Sequence, residues 1–207
     1  MASFVMEPAA LPRSFYARDP ITVARELVGK RLVRNGEEGA CAGTIVETEA
    51  YLSSRDAACH ATRGVTRKNA TMFGPPGHAY VYMIHAKWCL NAVTEDVGLG
   101  SAVLIRAIEP LEGIELMRQR RGKEGLLDLA RGPARLCQAL AVSKMHDGWD
   151  LTVGRELWIA EATTEGLPLR VVRSPRIGIS SATHRLLRFF ALGNVYVSGR
   201  RGIGRRV

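Results

Sequence analysis

No apolar run in the 207-residue sequence approaches the ~20 residues that a membrane-spanning helix needs. The N-terminal stretch lacks a basic region followed by an apolar core and a cleavage site, so no secretory signal is expected. The four cysteines, Cys41, Cys59, Cys89 and Cys137, form no C-x-x-C pair, and no histidine sits at metal-ligand spacing from them. That pattern argues against a zinc site and for reduced, partly buried thiols in a cytoplasmic protein. A phosphate-binding P-loop is missing, because Gly29-Lys30 has neither the earlier glycine nor the following hydroxyl. A dinucleotide-binding glycine fingerprint and a G-x-S-x-G elbow are missing too. Internal repeats, low-complexity tracts and a convincing linker are all absent. Acidic residues are in deficit, 20 against 29 lysines and arginines, for a net charge of +9. A basic balance speaks to partners and not to fold. Nucleic acid is the commonest such partner, an anionic surface or plain solubility the alternatives.

The length suits one large domain with a real core, and the composition is that of an ordinary globular protein. Residues 1–18 carry little pattern and read as an N-terminal arm, leaving 19–207 as a single domain. Asp19-Pro20 reads as N-cap and first helical residue, with Ala24, Leu27 and Val28 on one apolar face and Gly29 as the stop. Lys30 to Arg34 and Cys41 to Tyr51 read as strands, joined through Asn35-Gly36 by a loop longer than two residues. Ser53 and Ser54 suit the cap of a short helical turn, followed by a basic loop of Arg63, Arg67 and Lys68. Gly74-Pro75-Pro76-Gly77 is a rigid turn feeding the strand Ala79 to Ile84. That strand and Cys89 to Val93 suggest a protruding hairpin. Ala102 to Ile108 is an apolar strand closed by Glu109-Pro110, then a helix from Leu111 to Arg121 and another opened by Gly132-Pro133. Strand candidates follow at Glu156 to Ala160, Leu169 to Val172, Ile177 to Ile179, Phe189-Phe190 and Val195 to Val197. The fold class is therefore α/β in the broad sense, an α+β domain with a mainly antiparallel sheet.

The stretch TIVETEAYLSSRDAACH, Thr44 to His60, concentrates the chemistry. In an extended chain Ile45, Glu47, Glu49 and Tyr51 share one face, and Val46, Thr48 and Ala50 share the other, which suits a core. A solvated sheet face is the ordinary explanation for two carboxylates on such a strand; catalysis is the other. Arg106 inside AVLIRAI is costly unless it is paired or meets an anion. A carboxylate can activate water at a glycosidic bond and steady an oxocarbenium-like transition state. Tyrosines can stack on a base taken out of a duplex. Glu47, Glu49, Asp56 and His60 would also be the donors of a metal-dependent nuclease. A non-catalytic nucleic-acid-binding module is a third reading.

In order, IVETEAY with D-A-A-C-H, YVY, LN, VLIRAIEPLEG, RGPARLCQAL and SPRIGI resemble the alkyladenine (3-methylpurine) DNA glycosylases over about Asp19 to Gly199. The resemblance implies one compact domain with a curved, mainly antiparallel sheet, surrounding helices and a protruding hairpin. It implies removal of alkylated purines such as 3-methyladenine and 7-methylguanine, and of deaminated or etheno purines, from double-stranded DNA. No metal or redox cofactor is implied, and a monomer in the cytoplasm, nucleoid or nucleus is expected. By that resemblance Glu49 activates the hydrolytic water, Arg106 positions it, and the Ile177 carbonyl accepts from it. Tyr51 and Tyr82 sandwich the flipped base beside His60, and Asn91 disfavours the exocyclic amine of normal guanine. With no lysine at these positions, a monofunctional enzyme that leaves an abasic site is implied. The chain departs from the family at the hairpin tip, where a tyrosine wedge is usual. Here His85 holds that place, with one residue fewer before Cys89; Lys87 and Trp88 are the alternatives.

Overall fold

The computed structural model describes residues 9–162 and 169–199, and the backbone of 205–206. A short helix α1 (Arg13–Tyr16) precedes α2 (Pro20–Leu27). Asp19 caps α2 as its sequence suggests, its carboxylate accepting from the N–H groups of Ile21 and Thr22. Within the segment read as an arm, Leu11 and Tyr16 are buried in the main core; residues 1–8 lie outside the described part.

The sheet is built from β1 (Arg31–Gly36), β2 (Gly39–Tyr51), β3 (Ala79–Ile84), β4 (Lys87–Thr94) and β5 (Ser101–Glu112). After helices α3 (Ile114–Arg121) and α4 (Pro133–Ala139) come β6 (Leu157–Ala160), β7 (Val171–Ser174), β8 (Arg188–Ala191) and β9 (Arg205–Arg206). These nine strands form one sheet in the order β3-β4-β5-β2-β8-β7-β9, with β1 joining β2 to β6. Every pairing is antiparallel. The strand β2 is the trunk. Along one edge it pairs with β5; along the other it pairs first with β1 and then, at Glu47 to Glu49, with β8. Among the described residues no helix is long and apolar enough to cross a membrane.

Both faces of β2 are covered. On one, α2 packs against Val46 and Ala50, and the Thr48 hydroxyl donates to the Ala24 carbonyl at 2.7 Å. Helix α4 packs across β4 and β5, burying Leu136, Ala139 and Leu140. The β2–β5 register shifts three times, and two of the shifts leave Val46 on β2 and Arg106 on β5 without an opposite number. A bulge re-aims the side chains around it. Ile45 accordingly joins the core with Val46 instead of sharing the face of Glu47, Glu49 and Tyr51.

Several local expectations are corrected. The first hairpin closes tightly, with Gly36 opposite Gly39 and only Glu37-Glu38 between. Pro110 does not end β5; it pairs opposite Gly43. The β4 pairing stops at Leu104 and Arg131 bridges only to Ala107, so no strand pairs with β5 on that side at Pro110, where proline is tolerated. The following helix consequently starts at Ile114, after the left-handed Gly113, and not at Leu111. Ile177 to Ile179 and Val195 to Val197 are loops. In each, a backbone N–H goes to a side chain instead of a ladder: Ile177 to Glu49, and Tyr196 to Asn194.

At Gly43 the strands β2 and β5 approach closely. A Cβ there would lie 2.6 Å from the Glu109 carbonyl oxygen and 2.8 Å from Ile108 Cδ1. Gly43→Ala is expected to cost about 1–3 kcal/mol by overpacking, seen as a lower urea midpoint at unchanged slope. An unchanged midpoint would mean that the trunk pairing yields freely.

Candidate active site

The open ends of β2 to β5 form the floor of a cleft of about 850 Å³. Its walls are the loop after β2, which includes the helical turns His60–Arg63 and Ala70–Phe73, and the loop from Ile177 to Ser181. Tyr51, His60, Tyr82, Asn91, Arg106 and Ile177 all line it. The structure thus gathers six of the residues singled out in the sequence from five separate segments.

Glu49 lies just beneath this wall. Its side chain is fully buried. Both oxygens are engaged. Oε1 accepts from the Ile177 N–H at 2.8 Å, and Oε2 accepts from the Tyr51 hydroxyl at 2.9 Å. Oε2 also lies 3.3 Å from Arg106 Nη1. Burial pushes the Glu49 carboxyl above the ordinary glutamate value; Arg106, the Ile177 N–H and the Tyr51 hydroxyl oppose that, and neighbouring Glu47 adds to it. Burial pulls the Arg106 guanidinium down, but the two carboxylates more than offset this and keep it charged.

Arg106 is the paired arginine that its place in AVLIRAI demands. Besides Glu49 it donates from Nε to Glu47 Oε1 at 3.0 Å. From the opposite neighbour β8, Arg188 Nε donates to the same oxygen at 2.6 Å. Glu47 is therefore held by two arginines, and Glu49 by Arg106, the Tyr51 hydroxyl and the Ile177 N–H, rather than presented as cation donors. Asp56 is likewise taken, by a two-pronged bond from Arg176 at 2.5 and 2.7 Å. Among the described residues no group of three His, Cys, Asp or Glu side chains is arranged to hold a metal ion.

The aromatic wall follows from the period of β3. Tyr80 and Tyr82, two residues apart, stack with ring centroids 5.4 Å apart and an interplanar angle of 27°. His60 meets Tyr82 edge-on at 4.6 Å, and its Nδ1 is 3.0 Å from the Tyr80 hydroxyl. Burial lowers the His60 pKa and raises those of Tyr51, Tyr80 and Tyr82, so all four rings are neutral at pH 7. Tyr51 has a cation on one face: the Arg176 guanidinium carbon is 4.6 Å from its ring centroid. Asn91 is buried and donates from Nδ2 to the Tyr80 carbonyl at 3.0 Å. Asn69 ties the His60 loop together, its amide reaching the His60 and Gly64 carbonyls and its oxygen accepting from Thr66.

At the hairpin tip, His85 and Ala86 are the two turn residues, with φ of +49° and +58°. Positive φ at both positions matches the twist of a two-residue hairpin. His85 is exposed and flanked by exposed Met83 and Ile84, whereas Trp88 packs against the core. The tip therefore presents His85 and Lys87. Of the basic loop, Arg63 stands at the cleft, while Arg67 and Lys68 are exposed further along it. Arg200 and Arg201 lie outside the described residues, as do the side chains of Arg205 and Arg206.

Four site residues escaped the sequence reading. Tyr80 shares the alternating face of Tyr82 and was legible on that ground. Arg188, inside the apolar run LRFFA, carries the same signal as Arg106. Arg176 and the structural role of Asp56 left no trace, because their partnership joins positions 120 residues apart.

A family model for methylpurine-DNA glycosylase (MPG) matches residues 14–195. A protein of Rhodopirellula baltica named "Putative 3-methyladenine DNA glycosylase" is 50% identical over 195 residues, covering 92% of this chain and 83% of that protein. Proteins of the same name from Mesorhizobium japonicum and Carboxydothermus hydrogenoformans are each 46% identical, covering 93% and 91% of this chain and 92% and 98% of their own lengths. With a model spanning most of the sequence and near-full-length relatives at this identity, the chain belongs to the methylpurine-DNA glycosylase family.

Proposed function

We propose that this hydrolase of N-glycosyl bonds releases alkylated purines from duplex DNA, with Glu49 as the base that activates water. The observation that carries the reading is the pairing of a buried carboxylate with a guanidinium directly behind a tyrosine-walled cleft. A purine turned out of the duplex stacks between the free face of Tyr51 and Tyr82, with His60 at its edge. N3- and N7-alkylated purines are cationic, so electron-rich rings attract them and they leave as neutral bases. Water takes the place at Glu49 that the Tyr51 hydroxyl holds here, gives its proton to the carboxylate and adds to C1′ as the purine departs with the glycosidic electron pair. Arg106 keeps the glutamate ionised and the Ile177 backbone helps seat the water. Asn91 screens the purine edge against normal guanine, and exposed His85 enters the gap in the duplex. Among the described residues no lysine lines the cleft, which supports hydrolysis without a Schiff base and an abasic site as product.

The test is release of bases from methylated duplex DNA, identified by chromatography, with and without chelator. Methylated purines released at the same rate in both, with strand breaks only after hot alkali, are expected. Breaks that appear without alkali and stop with chelator would assign the cleft to a metal-dependent nuclease instead.

A further inference from the structure

Two carboxylates stand two residues apart on β2; Glu49 meets Tyr51, Ile177 and Arg106 of the cleft lining, whereas of these Glu47 meets Arg106 alone. Glu47 is equally buried and makes a different set of bonds. Its Oε1 accepts from Arg106 Nε at 3.0 Å and Arg188 Nε at 2.6 Å, and its Oε2 accepts from the Ser198 N–H at 2.7 Å. Arg188 is itself fixed, by the Ser174 hydroxyl at 3.0 Å and the Ser198 carbonyl at 2.9 Å. Sheet register makes the arrangement possible, since β2 runs between the strand bearing Arg106 and the strand bearing Arg188.

We propose that Glu47 is a positioning residue for the reaction at Glu49: it fixes the plane of the Arg106 guanidinium, and Arg188 fixes Glu47 in turn. The inference rests on the reading of Glu49 as the base. A guanidinium is a rigid planar fork, so holding Nε and setting the plane decides where both terminal nitrogens point. With Nε on Glu47, Nη1 falls 3.3 Å from Glu49 Oε2 and Nη2 falls 3.4 Å from the Ser198 hydroxyl. Without that anchor the flexible stem of Arg106 is free to turn its whole fork onto Glu49 or out toward the cleft. Four charges in a closed sheet cost more than apolar packing would, unless their placement has a use. Glu47, Glu49, Arg106 and Arg188 also sum to zero, so Glu49 shares Arg106 instead of being neutralised by it. A carboxylate wholly claimed by a guanidinium is a weaker base.

Glu47→Gln keeps the shape and removes the charge. On a duplex carrying one 7-methylguanine, which needs no protonation to leave, kcat is expected to fall ~10–100-fold, the scale of a misplaced catalytic group. KM should stay within about twofold, because Glu47 does not line the cleft. The acid limb of kcat should move to lower pH. The groups facing Glu49 are Arg106, Tyr51, Arg176, Tyr82, Cys89 and Glu47, and deleting the one carboxylate neighbour eases ionisation. A packing role alone would leave kcat at its native value once Glu49 is ionised. Should E47Q not fold, Arg188→Lys, which keeps the charge and loses the fork, is measured instead and must also lower kcat without raising KM. A folded variant with wild-type kcat, or with an acid limb unmoved or shifted upward in E47Q, overturns the proposal. Glu49→Gln run in parallel separates the two readings. Loss of release in E49Q beside normal release in E47Q defeats only the positioning role, whereas release by E49Q defeats Glu49 as base.

Discussion

Glu49→Gln is expected to cut release of methylated purines by about 10²–10⁴-fold, the span a positioned general base supplies, while affinity for lesion-bearing duplex stays near that of the native protein. The amide still accepts from the Ile177 N–H, so the local backbone has no reason to move. It cannot take a proton from water. The same substitution should raise the thermal midpoint at neutral pH. Burial is the main cause of the elevated Glu49 pKa. For a group raised on folding, the stabilising contribution is complete below the ordinary value near 4.5 and is lost as pH rises through the folded value. At pH 7 the ionised side chain is therefore a cost, and glutamine, which resembles the protonated form, escapes it. For native enzyme the base exists only above its raised pKa, so kcat should climb as pH rises through that value. Loss of activity with a lower midpoint and lost binding would mark Glu49 as merely structural, the outcome expected of a non-catalytic DNA-binding module.

Asp56→Asn should produce the largest loss of stability. Both side chains of the Asp56–Arg176 pair are completely buried. Removing one charge strands the other in the interior, a change that typically costs about 3–5 kcal/mol. For a chain of this length that corresponds to a midpoint roughly 6–20 °C lower. By contrast, breaking the exposed Arg118–Glu115 pair should cost about 0–1 kcal/mol. Burial pushes the Asp56 pKa up, but the Arg176 bonds and charge, with the N–H groups of Ala58 and Leu52, outweigh it and leave it lowered. A lowered carboxyl contributes fully above its ordinary value of 3.8 and progressively less as pH falls through the folded value. The native protein should therefore lose stability below about pH 4 more steeply than the variant. Activity should fall as well, because Arg176 lies against Tyr51, donates to the Ala50 carbonyl at 3.0 Å and precedes Ile177. Replacing both partners with apolar residues of similar volume should restore stability without restoring activity. Restored activity would show that the pair serves packing alone.

The expectations that held were those resting on short stretches of chain. Asp19-Pro20 starts a helix because a capping carboxylate and a preset φ act within one turn. Tyr51 and Glu49 share a face because a strand alternates every residue, and Arg106 is paired because a charge in an apolar strand has few alternatives. The same reasoning failed where one extra residue enters a ladder. Skipping Val46 turned Ile45 away from the face of Glu47, and nothing in IVETEAY announces that bulge. It also failed for Ile177 to Ile179, an apolar run that reads as a strand until Glu49, 128 positions earlier, takes its backbone N–H.

Local chemistry in the sequence thus determined the mixed helix–sheet class, the basic character, the carboxylate and tyrosines of the cleft, and the hairpin whose tip bears His85. Only the tertiary structure decided that Glu49 sits under the cleft wall, that Glu47 belongs to Arg106 and Arg188, and that Asp56 belongs to Arg176. The physical reason is that capping, alternation and turn geometry are settled within a few bonds. Whether a charge can be buried depends on an opposite charge delivered by a distant strand, and on which donors reach it first.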